Sequence, residues 1–66
     1  MKYKVVIHDA EEGGYWAEVP ELPGCVTEAD TFEELQVNIR EAVALWLDLP
    51  EGVEITKQDH FIEIAI

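Results

Sequence analysis

Serine is absent from the 66 residues, cysteine occurs once, and only four side chains are basic. Each shortage removes a class of chemistry. Without serine no Ser-His-Asp arrangement can exist. The lone Cys25 cannot close an internal disulfide, and His8 and His60 lie too far apart in sequence to read as paired zinc ligands. No apolar run approaches the roughly 18 residues needed to cross a bilayer. The first residues lack the apolar stretch and small-residue exit of a cleavable signal, so a cytoplasmic protein with no membrane partner is expected. The length leaves room for one domain, residues 1–66, and no second module. A domain of this size buries only about 60% of its unfolded surface. With neither disulfide nor metal available, oligomerisation, most simply a homodimer, is the expected remedy.

What the chain has in excess is negative charge: 15 acids and a formal charge of −11. Apolar residues make up 48% of it, which separates it from a disordered acidic tail. The acids are concentrated. Between Val5 and Ile39 there is no Lys or Arg, yet Asp9, Glu11, Glu12, Glu18, Glu21, Glu28, Asp30, Glu33 and Glu34 all fall there. Such a surface repels phosphates and argues against direct nucleic-acid binding. It either attracts a basic partner or simply keeps a small protein in solution.

Alternation predicts strands over Lys2–His8, Tyr15–Val19, Cys25–Glu28 and His60–Ile66. Gly13 and Gly14 turn the first two into a hairpin, and Pro20-Glu21-Leu22-Pro23-Gly24 ends it, since proline cannot donate to a ladder. Thr31-Phe32-Glu33-Glu34 is a capping box opening a helix. Phe32, Leu35, Ile39, Ala42, Val43, Trp46 and Leu49 make its apolar stripe, with Pro50 and Gly52 stopping it near Leu49. The expected fold is α+β, in the order β-β-β-α-β: a mixed four-stranded sheet with one helix on one face. Val6, Trp16, Val26, Phe61 and Ala65 are left for the opposite face. Val6, Trp16 and Phe61 are the candidate oligomer interface.

A search for catalysis finds little. Cys25 has no base nearby in sequence, and the local acids would raise its pKa, so it reads as a structural thiol. A metal-dependent nuclease would need several acids converging; Asp9, Glu41, Asp48 and Glu63 are candidates that a chain this acidic supplies by chance. No cofactor or metal is expected. Trp46 reads as core, whereas Trp16 reads either as sheet packing or as an exposed anchor. Asn38, a weak helix former in mid-helix, should bond something specific, with the Pro-Gly loop backbone the candidate. Arg40 has no acid three or four positions away; a partner elsewhere in the fold, a second subunit and water all remain open.

The run Gly13-Gly14-Tyr15-Trp16-Ala17-Glu18-Val19-Pro20-Glu21-Leu22-Pro23-Gly24-Cys25-Val26-Thr27 resembles the HicB-like antitoxin family. In the same order follow Asp30-Thr31, Glu33-Glu34, Asn38, Glu41-Ala42 and an Ile-rich final strand. The motif residues are Gly14, Tyr15, Pro20, Pro23, Gly24, Cys25, Thr31, Glu34 and Asn38. Ala29 and Leu35 stand where the family often has Gly and Ala. The resemblance implies a partial ribonuclease-H-like fold without ribonuclease-H catalysis, with the final strand beside the first. It also implies an antitoxin that covers the active site of a HicA-type toxin, a small ribonuclease with a double-stranded-RNA-binding-like fold. Many members add a C-terminal DNA-binding domain. This chain ends at Ile66, so operator binding is not expected of it. The reading is therefore a non-enzymatic antitoxin for a small basic ribonuclease, with Glu11, Glu12, Trp16, Glu21 and Leu22 as the candidate partner interface. The alternatives are a degenerate metal-dependent nuclease of ribonuclease-H type and an orphan oligomeric module binding another protein or ligand.

Overall fold

Hydrophobic alternation at period two lays the chain out as β1 (Lys2–Asp9), β2 (Tyr15–Glu18) and β3 (Val26–Ala29) before α1 (Phe32–Leu47). After the helix come β4 (Glu54–Lys57) and β5 (Ile62–Ala65). This is a computed structural model, and it describes residues 2–49, 52–57 and 61–65. The expectations placed on Pro50, His60 and Ile66 lie outside the described residues.

The five strands form one sheet in the order β3-β2-β1-β5-β4, and every pair is antiparallel. The class is α+β as expected, but the sheet is neither four-stranded nor mixed. The missing element is β4. A strand entered directly from α1 would run parallel to β1. By crossing the sheet edge once more as β4, the chain reverses, so β5 returns antiparallel to β1 with Val5 opposite Ile62 and Tyr3 opposite Ile64.

Cross-strand partners share a face, so the registers sort the side chains. Val5, Ala17, Ile62 and Ile64 face α1 and are buried with Val19, Leu22, Cys25, Leu35, Ile39 and Val43. The opposite face carries Lys4, Val6, His8, Trp16, Glu18, Val26, Glu28, Phe61 and Glu63, none of them buried.

The helix starts where the capping box places it. Thr31 is extended (φ −123°, ψ 159°), and its hydroxyl accepts from the Glu34 amide at 3.1 Å. It ends at Leu47, two residues before the expected Leu49. Asp48 takes the left-handed conformation (φ 55°), donating its N–H to Leu45 O at 3.3 Å, while Leu49 N–H donates to Ala44 O at 2.9 Å. Those two bonds are a Schellman turn with aspartate at the position glycine favours. Trp46 is not core: Leu47 beside it takes the place against the core, and the indole reaches the Pro-Gly loop instead. Trp46 is 46% exposed, and its indole N–H donates to Pro23 O at 2.9 Å.

Candidate functional site

Glu11 and Glu12 sit on a tight turn. Gly13 N–H donates to Ala10 O and Ala10 N–H to Gly14 O, both at 3.1 Å. Gly14 (φ 78°) lies so close to the end of β3 that a Cβ there would meet Ala29 O at 2.7 Å. This close approach sets the turn against β3 and the start of α1. At that corner Glu11, Glu12, Glu28, Asp30 and Glu34 line one cleft of about 590 Å³, with Tyr15 and Asn38 also on its wall. No Lys or Arg lines it. Asn38 ties the corner together by donating Nδ2–H to Glu28 O at 2.9 Å. Its partner is therefore the edge strand β3 rather than the Pro-Gly loop; the residue that reaches that loop is Trp46.

Five acidic residues line one concavity with no Lys or Arg in its wall, Glu28 meeting Asn38 there through its main-chain oxygen, and together they concentrate negative potential outward. The low-dielectric wall focuses that field on whatever approaches. The acids do not form a metal cage: among the described residues no group of three or more His, Cys, Asp or Glu side chains could hold a metal ion. The acids considered for nuclease chemistry are placed apart. Asp9 ends β1, Glu63 lies on the helix-free sheet face opposite Lys4, and Glu41 and Asp48 are exposed on α1.

The candidate partner residues do not make one patch. Glu11 and Glu12 are exposed at the cleft, while exposed Glu21 lies in the β2–β3 loop, at the other end of β2. Trp16 is on the helix-free face, its ring stacked on His8 with centroids 4.0 Å apart and planes 16° apart. Nε2 of His8 in turn lies 3.2 Å from Glu18 Oε2. Leu22 is only 3% exposed and belongs to the core, so it cannot anchor a partner from outside. The Pro-Glu-Leu-Pro-Gly-Cys loop folds onto itself through Leu22 N–H to Val19 O and Cys25 N–H to Leu22 O, each 2.9 Å, which drives Leu22 inward. Glu28, Asp30 and Glu34 are the cleft residues that a linear reading passed over. The close approach of Gly14 to the end of β3 and the Asn38 bond to Glu28 O assemble them.

Val6, Trp16 and Phe61 do share the helix-free face, together with Val26, which is 57% exposed. Charge interrupts the patch, and Lys4 Nζ lies 4.8 Å from the Phe61 ring centre. Arg40 is exposed on α1 and makes no ion pair among the described residues. Cys25 is buried, and that burial alone pushes its thiol pKa up; the neighbouring acids do not enter.

Residues 3–64 match a family described as the HicB_like antitoxin of bacterial toxin-antitoxin system. The chain belongs to this HicB-like family. A UPF0150 protein of Archaeoglobus fulgidus is 43% identical over 54 residues, covering 82% of this chain and 78% of the relative. The UPF0150 protein Ta0767 of Thermoplasma acidophilum is 39% identical over 67 residues, 100% of this chain and 97% of its own. Antitoxin HicB 1 of Photorhabdus laumondii is 44% identical over 34 residues, which is 52% of this chain but 22% of that antitoxin. HicB-like membership supports an antitoxin role in a toxin–antitoxin pair. No described helix is long and apolar enough to cross a membrane.

Proposed function

We infer that this HicB-like chain is a non-catalytic antitoxin that binds a small basic ribonuclease of HicA type and covers its active site in the cytoplasm. The observation that carries the reading is the cleft lined by five acidic residues with no Lys or Arg in its wall. A ribonuclease must present cationic side chains to hold RNA phosphates. The same side chains are drawn to an acidic cleft, which competes with RNA for them and steers the encounter. Glu11, Glu12, Glu28, Asp30 and Glu34 supply the charge, and Trp16 remains an apolar anchor on the adjoining face. No bond is made or broken by this chain in the reaction; it excludes substrate.

The test is neutralisation. Any short reading frame for a basic protein found beside this gene is expressed from an inducible promoter, with and without this chain. Rescue of growth, and co-purification of the two proteins, is the expected result. A neighbouring basic protein that arrests growth equally in both cases would remove the reading. Should purified chain instead cleave RNA with magnesium or manganese, and lose that activity in Asp9→Asn, the nuclease alternative would replace it.

A further inference from the structure

The cleft leaves unexplained a second surface, at the outward C-terminal end of α1. Leu45 is 82% exposed, on the side of α1 away from its core stripe. The Schellman turn folds Leu49 back beside it, and Ala44, Leu45 and Leu49 floor a groove of about 420 Å³ flanked by Glu41 and Asp48. At about 100° per residue, Leu45 points roughly 120° away from buried Ile39, and Glu41 about 160° away. The groove is therefore not an unfinished edge of the core.

Three local choices here work against the isolated chain. An aliphatic side chain is left in water. Asp48 puts an acid at the negative end of the helix dipole, whose last turn holds no basic residue, and Glu41 adds a second acid beside the same groove. Asp48 occupies a left-handed position that favours glycine. One occupant relieves the first two at once: an aliphatic side chain to cover Leu45, carried on a segment whose cations meet Glu41 and Asp48. A second copy of this chain is the poorer fit, because its own α1 would bring the same acids to the same place.

We propose that the helix surface formed by Glu41, Ala44, Leu45, Asp48 and Leu49 is a docking site for a segment of a basic protein that alternates aliphatic side chains with Lys or Arg. The partner class rests on the antitoxin reading, and the site is separate from the cleft. Binding here fixes the complex through buried apolar surface, while the cleft acts on the approach.

Two measurements test it, both on the whole chain. The first titrates isotope-labelled protein at about 0.15 M salt with an amphipathic Leu/Lys helical peptide, and with a control in which every Leu is Ser. Amide shifts should concentrate at 41–49, the control should bind at least tenfold more weakly, and Leu45→Ser should weaken the Leu/Lys peptide by a similar factor. Leu45 is exposed, so this variant should keep the wild-type circular dichroism spectrum. Shifts confined to the cleft, equal binding of both peptides, or a wild-type dimer that dissociates on Leu45→Ser would each overturn the site. The second repeats the neutralisation experiment with Leu45→Ser, expected to lose rescue. Rescue by wild type and variant alike sinks this surface and leaves the antitoxin reading standing; failure of the wild type sinks the reading itself.

Discussion

Three single residues behave in ways that their identity alone would not indicate. Gly13 and Gly14 are neighbours with positive φ, yet only Gly14 is crowded, with Ala29 O at 2.7 Å and Asp30 Cα at 3.1 Å from a would-be Cβ. Gly14→Ala should therefore cost about 1–3 kcal/mol and splay the turn away from β3. Gly13→Ala carries only the φ penalty and should cost less, as paired urea titrations would reveal. Cys25 provides the pH-dependent case. Its folded pKa is raised by burial, so the neutral thiol is the folded form. Its contribution to stability is whole below the pKa of the unfolded thiol and is lost as pH rises above it toward the folded value. Native protein should react slowly with a thiol reagent at pH 8 and fast once unfolded in urea. A fast native reaction would contradict the burial. Asn38 shows how far one residue can be read: its poor helix propensity announced a specific bond, but the acceptor, Glu28 O, lies in an edge strand that only the folded chain brings near.

At the scale of elements, hairpin, capped helix and last strand were all legible, because each has its own period and its own terminators. β4 was not. Glu54–Lys57 is four residues long, and its one inward apolar side chain, Ile55, is too little for a periodic signal. Trp46 failed for a different reason: the helical period is correct, but Leu47 takes the place against the core and the indole bonds to the loop. Its indole bond to Pro23 O makes it a latch on the Pro-Glu-Leu-Pro-Gly loop. The same loop buries Leu22 at 3% exposure, which moves that residue from the partner interface to the core. Leu22→Ala should lower stability by about 2–5 kcal/mol, read by thermal melting. Trp46→Phe, which keeps the ring and loses the donor, should cost about 1 kcal/mol. A Leu22→Ala chain as stable as wild type would return Leu22 to the surface.

For the whole molecule, net charge and the uncovered sheet face pull in different directions. A charge of −11 favours fast capture of a basic partner and opposes self-association. Raising salt from about 0.05 to 0.5 M shortens the screening length from roughly 14 to 4 Å, so toxin association should slow markedly. Replacing Glu11, Glu12 and Asp30 by Asn or Gln should slow it more than replacing Glu11, Glu12 and Glu21, because Glu21 is outside the cleft. The same salt increase should strengthen a homodimer built on Val6, Trp16 and Phe61. Light scattering at micromolar concentration should find that dimer, and Val6→Lys should break it; a monomer at every salt concentration would reject it.

The amino-acid sequence by itself determined the class, the hairpin, the helix start, the family motif and the sign of the electrostatic field, since each depends on residue type and short spacing. Tertiary structure decided the rest. Whether Leu22 and Trp46 are buried or exposed depends on how the loop between β2 and β3 folds. Gathering Glu11, Glu12, Glu28, Asp30 and Glu34 into one cleft depends on three antiparallel strands meeting a helix N-terminus. Residues separated in the chain become one field only when backbone pairing, which carries no mark of charge, brings them to the same corner.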